Sequence, residues 1–150
     1  MSEVFGAVVV SYGTMVLVLA WLAYRAVSVG TTTPDRLVLE LRLAQFSALL
    51  LVSVSSAYIG LAVAHEQTTG MGLDVAVATG FLVAASVTAT QRPAVALTTL
   101  AVFWILHSLV DLAHMTHLFP NQIASAWYPT TCAIYDVGVA AICYLPVLRR

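Results

Sequence analysis

The stretch from Pro93 to Met115 reads PAVALTTLAVFWILHSLVDLAHM. Nearly all of its residues are apolar or small, and its length matches the roughly 20 residues with which an α-helix crosses the hydrocarbon core of a bilayer. Its ionisable residues are His107, Asp111 and His114, and spacings of four and three place them on one face of a helix. The stretch therefore predicts a membrane-spanning helix that carries a polar stripe.

Four other stretches share this apolar character. They cover residues 4–27, 41–64, 72–90 and 124–148. The breaks between the five stretches are rich in Gly, Pro and polar residues, which end helices. The sequence therefore predicts an all-α fold, a polytopic integral membrane bundle of five transmembrane helices. Residues 1–150 are expected to form a single membrane domain.

The composition excludes most classes of soluble protein. Hydrophobic residues make up 61% of the chain and charged residues only 9%, whereas a typical globular domain is about 25% charged. The net charge of -1 also excludes binding to nucleic acid through a basic patch. We therefore expect a multi-pass protein of the cell membrane, whose partners are the lipid bilayer and either further copies of itself or a larger membrane complex.

The cations predict how the helices are oriented. All six are arginines, at positions 25, 36, 42, 92, 149 and 150. They flank the first and third connections and end the chain, while the second and fourth connections contain none. Because short cytoplasmic loops are enriched in Arg and Lys, this distribution predicts an N-terminus outside the cell and a cytoplasmic C-terminus.

The remaining polar residues gather towards the outer side of the predicted bundle. On the fifth helix, spacings of three, four and seven place a second set on one face: Tyr128, Cys132, Tyr135, Asp136 and Cys143. By depth, Asp136 should lie near His107. His65 and Glu66 end the second helix, and Asp74 opens the third, where a carboxylate complements the helix dipole.

A transition-metal site is our leading hypothesis from the sequence. An ionisable side chain costs at least ~2.5–3.5 kcal/mol at the centre of a membrane helix, and imidazole and carboxylate groups suit Zn, Cu or Fe. The leading candidate ligands are His107, Asp111, His114 and His117. Further residues that could complete the shell are His65, Glu66, Cys132 and Asp136. In an enzyme, the metal would be a Lewis acid or redox centre for a lipophilic small-molecule substrate. The candidate acid, base or ligand-orienting groups are Asp136, Tyr135 and Glu66.

Three other functions use the same residues. His65 and His114 are candidate axial ligands of a b-type haem. The intramembrane His and Asp side chains are also typical of proton or ion translocation, with Trp104 as a steric gate. An accessory subunit would dock its polar face on a larger complex. The purely structural alternative is that Asp111 pairs with a neighbouring imidazole and that the other imidazoles bind hydroxyl groups or water.

Overall fold

The computed structural model describes residues 3–64, 66, 69–119 and 127–150. Of these residues 87% are helical, and the described ranges contain no β-strand. Six α-helices follow one another along the chain: α1 (Glu3–Ser28), α2 (Pro34–Ser55), α3 (Ala57–Ala64), α4 (Met71–Ala89), α5 (Pro93–Met115) and α6 (Trp127–Leu148). The prediction of an all-helical fold is therefore confirmed.

Five segments are long and apolar enough to cross a membrane, as the sequence predicts. They are Val9–Ser28, Pro34–Ala64, Met71–Ala89, Pro93–Met115 and Trp127–Leu148. The second segment joins α2 and α3 and begins at Pro34 rather than at the expected Leu41, because Arg36 and Glu40 are helical and paired inside the bundle. The expected start of the last helix, at residue 124, lies outside the described residues.

The five segments pack in a ring that follows the order of the chain. Helix α2 lies between α1 and α4, α5 lies between α4 and α6, and α6 returns to α1. Helix α2 also crosses the ring to contact α5 and α6. The pair α5 and α6 packs most extensively, so polar side chains on their facing sides are brought together and screened from the surroundings.

Serine side chains coincide with the break between α2 and α3. The hydroxyls of Ser53 and Ser55 donate to the carbonyl oxygens of Leu49 and Leu51, at 3.0 and 2.6 Å. Such bonds to the preceding turn compete with the helical ladder and bend helices. The expected single helix over 41–64 is therefore divided, and the short helix α3 carries its own side chains towards the bundle.

The outer surface of the bundle is apolar. Leu17, Leu49, Leu109 and Ile134 are more than half exposed, whereas Trp104, at 0%, is among the fully buried side chains of the core. A soluble domain would place charged and polar groups on such a surface. The distribution matches a bundle that is surrounded by hydrocarbon.

An ionic cluster joins the start of α2 to the end of α6. Arg36 donates from Nε to Glu40 Oε1 at 2.9 Å and from its terminal nitrogen to the carbonyl oxygens of Pro146 and Arg149, at 2.9 and 3.2 Å. Arg150 donates to Glu40 Oε2 at 2.5 Å. Arg36 and Glu40 are buried, so Arg36, which we expected to act mainly in setting orientation, also binds the carboxyl end of α6.

Candidate functional site

A group of two carboxylates and one imidazole lies between α5 and α6. His107 Nδ1 is 2.7 Å from Asp136 Oδ2 and 3.7 Å from Asp111 Oδ2. One ligand atom from each of the three residues lies within 4.8 Å of the others. All three side chains are almost completely buried. The positions of His107 and Asp111 one turn apart on α5, opposite Asp136 on α6, produce this convergence. We call these three residues the His–Asp–Asp group.

Each carboxylate of this group keeps one oxygen that the protein does not satisfy. Asp111 Oδ2 and Asp136 Oδ1 are buried and have no hydrogen-bond partner among the described residues. The separation of 3.7 Å between His107 Nδ1 and Asp111 Oδ2 is too long for a hydrogen bond. Because an unsatisfied buried acceptor costs about 1–3 kcal/mol, and more when it is charged, the two oxygens require either a proton shared between the two carboxyl groups or a bound cation.

Tyr58 on α3 holds the other oxygen of Asp111. Its hydroxyl donates to Asp111 Oδ1 at 2.8 Å, and its ring stacks on the imidazole of His114 with centroids 3.9 Å apart and planes inclined by 10°. The sequence analysis did not single out Tyr58, because one aromatic residue in an apolar helix usually belongs to the core. The serines at the helix break, Ser55 and Ser56, lie three and two residues earlier and were the available signal.

His114 is directed towards α4 and does not belong to the His–Asp–Asp group. Its Nε2 lies 3.3 Å from Asp74 Oδ1, and both side chains are buried. Asp74, which we expected to complement the dipole of its helix, therefore contacts an imidazole of the neighbouring helix. His114 also stacks on the ring of Tyr58. The His114–Asp74 pair therefore contacts the residue whose hydroxyl binds Asp111.

Aromatic residues cover the imidazole of His107. The ring of Phe81 on α4 lies edge-on at 5.0 Å between centroids, and the indole of Trp104 lies at 6.3 Å. Trp104 Nε1 donates to Ser47 Oγ at 2.8 Å, and Ser47 Oγ is 3.0 Å from Cys143 Sγ. Trp104, a candidate gate in the sequence, is thus held in place by a hydrogen bond to α2.

The other candidate residues lie apart from this group. His117 and Glu66 are exposed and adopt left-handed backbone conformations with φ of 59° and 55°, which is typical of residues that end helices. Tyr135 is half-buried and contacts the rings of Trp104 and Tyr12. His65 lies outside the described residues, so the haem hypothesis, which requires it, stays a prediction.

The geometry defines an all-helical bundle, apolar on its outside, with a buried His–Asp–Asp group between its two most extensively packed helices. No protein-family model, curated protein or solved structure matches this chain.

Proposed function

We propose that this protein is an integral membrane protein that binds a divalent transition-metal ion through His107, Asp111 and Asp136. The observation that carries the proposal is the pair of buried carboxylate oxygens, Asp111 Oδ2 and Asp136 Oδ1, which lack a hydrogen-bond partner among the described residues beside an imidazole. A metal ion would bind both oxygens at once, in place of a proton shared between the two carboxyl groups.

Charge balance supports a divalent ion. Two ionised carboxylates in a low-dielectric interior carry a large desolvation cost unless they are compensated. A divalent cation bound by Asp111 and Asp136, with His107 as a neutral ligand, makes the whole site electrically neutral. Neutrality is what a site surrounded by apolar helices and lipid requires.

The donor set favours particular metals. Two carboxylate oxygens and one imidazole nitrogen suit Zn²⁺ or Fe²⁺, whereas soft Cu(I) favours thiolate and thioether ligands. Three protein ligands leave a coordination position for water or substrate, as in catalytic rather than structural zinc sites. A bound metal would supply Lewis-acid chemistry there, and Tyr58 would orient Asp111 through its hydrogen bond.

The geometry changes which residues are the best ligand candidates. Of the four leading candidates from sequence, His107 and Asp111 remain. Asp136, which the sequence offered as a residue that could complete the shell, takes the place of His114 and His117. His114 contacts Asp74 and Tyr58 instead, so we assign it a supporting role. His117 is exposed and is left out of the proposed site.

The apolar surface supports residence in the membrane, and the arginines support one orientation. Because the five spans alternate in direction, the end of α1, the start of α2, the connection from α4 to α5 and the end of α6 lie at one end of the bundle. All six arginines belong to this end or its flanks. By the positive-inside rule we propose that it faces the cytoplasm, which places the metal site in the outer half.

Metal analysis of the purified protein tests the proposed site. Protein in detergent is incubated with Zn²⁺ or Fe²⁺, desalted and analysed for bound metal. We expect close to one equivalent per chain, and at least about tenfold weaker binding in Asp136→Asn and in Asp111→Asn. The two variants alter different helices, so a failure of one to fold leaves the other informative.

His117→Ala is the matched control, because it removes an imidazole that follows α5 outside the His–Asp–Asp group. It should keep the affinity of the wild-type protein. The proposal is wrong if the wild-type chain binds neither metal, or if both Asn variants bind as tightly as the wild type.

Proton translocation is a second candidate, favoured by a run of contacts along the bundle. The run leads from Asp74 and His114 through the stacked Tyr58 to Asp111, and from there to His107 and Asp136. Towards the arginine-rich end, the run of contacts is extended by Trp104, Ser47 and Cys143. About 10 Å of helix α2 then separate Ser47 from Glu40. This gap favours metal binding over a complete path.

Proteoliposomes loaded with a pH-sensitive dye separate the two candidates. Proton flux through metal-free wild-type protein that is lost in Asp136→Asn would favour translocation. Stoichiometric metal binding without such flux would leave the metal site as the function.

A further inference from the structure

A groove with two guanidinium groups opens at the arginine-rich end of the bundle. Its volume is about 530 Å³, and it lies where α2 begins beside the end of α6. Its lining includes Thr31, Thr32, Arg36, Leu37, Glu40 and Arg150. The groove is remote from the His–Asp–Asp group, and the proposed metal site makes no use of it.

The electrostatics of this groove favour an anion. Glu40 is the acidic member of the lining, and its two oxygens are already bound by Arg36 and Arg150. Among the side chains that line the groove, two guanidinium groups face one carboxylate, which leaves one positive charge uncompensated. The side chain of Arg150 is 45% exposed, so its remaining N–H groups are accessible to a ligand.

The surroundings of the groove combine hydroxyl groups with lipid-facing apolar side chains. Thr31 and Thr32 are exposed and offer hydroxyl donors on one side. Leu37, at 56%, and Val38, at 47%, are exposed on the first turns of α2, within the segment Pro34–Ala64 that is apolar enough to cross a membrane. A ligand that fits the groove therefore needs an anionic polar part for the guanidinium and hydroxyl groups. It also needs an apolar part for the exposed side chains at the start of α2.

We propose that this groove binds the phosphate headgroup of an anionic phospholipid, with the acyl chains lying along the start of α2. Arg150 contacts the phosphate, Thr31 and Thr32 donate hydrogen bonds, and Arg36 keeps the end of α6 in place behind the headgroup. The proposal requires that the spans lie in a membrane but is independent of metal binding.

Lipid titration with a fluorescent or mass-spectrometric readout tests this site. Protein in a neutral detergent, with a chelator present, is titrated with dioleoyl phosphatidylglycerol and, separately, with dioleoyl phosphatidylcholine. We expect tighter binding of phosphatidylglycerol, and about fivefold weaker binding of that lipid in Arg150→Gln, because one cation near a membrane surface contributes on this scale. Thr31→Val combined with Thr32→Val should also weaken binding, while it leaves the Arg150–Glu40 pair intact.

Arg92→Gln is the matched control, since it removes one exposed arginine at the same end of the bundle, outside the groove. Its affinity for phosphatidylglycerol should equal that of the wild type. Equal binding of the two lipids, or equal losses in Arg150→Gln and Arg92→Gln, would overturn the proposal. Competition by millimolar inorganic phosphate as effective as by the lipid would instead show a site for free phosphate and would also overturn it. The chelator ensures that neither result depends on the metal site.

Discussion

Two buried charged groups lie towards opposite ends of the bundle, and they differ in how completely they are satisfied. At the start of α2, both oxygens of Glu40 are bound by arginines, and Arg36 also binds two carbonyl oxygens. Between α5 and α6, Asp111 and Asp136 each keep an oxygen without a partner among the described residues. A satisfied ionic cluster fixes helices together, whereas an unsatisfied one is suited to receive a ligand.

The largest effect is expected where the satisfied cluster is broken. Arg36→Ala removes the partner of Glu40 Oε1 and frees the carbonyl oxygens of α6, so we expect a loss of about 3–5 kcal/mol in the free energy of unfolding. Unfolding in mixed detergent micelles measures it. Arg92→Ala, at an exposed arginine, should change stability by less than ~0.5 kcal/mol. Equal effects of the two variants would show that the cluster does not fix the helices.

A substitution in the His–Asp–Asp group is expected to raise, not lower, the free energy of unfolding when no metal is present. Asp136→Asn removes one buried charge, and the new amide supplies a donor towards Asp111, so we expect the metal-free variant to be about 1–2 kcal/mol more stable than the wild type. The same unfolding measurement in chelator checks this gain. Adding metal at about one hundred times the wild-type dissociation constant should stabilise the wild type by about 2.7 kcal/mol and the variant, which binds at least about tenfold more weakly, by about 1.4 kcal/mol or less. Destabilisation of the metal-free variant would contradict the distinction between the two groups.

Tyr58→Phe tests how the unsatisfied group is held. It deletes the hydroxyl that binds Asp111 Oδ1 while it keeps the ring on His114. We expect metal affinity to fall about tenfold, and the metal-free protein to lose roughly 1–2 kcal/mol of stability. Competition with a chelator measures the affinity. Tyr24→Phe, at an exposed tyrosine, is the control, and equal affinities of the two variants would exclude this role for Tyr58.

The smallest effect is expected at His117. Its φ of 59° strains any residue that carries a Cβ atom, so His117→Gly should raise the free energy of unfolding by roughly 0.5–1 kcal/mol. Metal content should remain unchanged, because the imidazole is exposed and remote from the proposed ligands. A fall in bound metal would show that His117 contributes to the metal site and would contradict its exclusion.

The number and the positions of the long helices can be predicted from the sequence, but only part of the site can. Five apolar runs interrupted by Gly, Pro and polar residues predict five long helices, because the length needed to cross a bilayer is nearly fixed. The meeting of His107 and Asp136 also follows from depth, since consecutive antiparallel helices bring residues at similar distances from their connection to the same level.

Contacts between helices that are distant in the chain could not be predicted in this way. The pairing of His114 with Asp74 and the bond from Tyr58 to Asp111 depend on how each helix is rotated about its axis. That rotation is set by packing against several neighbours at once, and the periodicity of one helix does not reveal it. The early start of α2 could not be predicted for a related reason. Arg36 and Glu40 are bound by each other and by residues at the end of α6, which are distant in the chain.

The contacts of Arg36 have a consequence for biosynthesis. Its partner at Pro146 lies 110 residues later in the chain, and that at Arg149 lies 113 residues later. The second span therefore leaves the ribosome long before the residues that bind its arginine have been translated. Until then the local pairing of Arg36 with Glu40 is what shields both charges, and the nascent chain completes its bundle only when its last helix has been made.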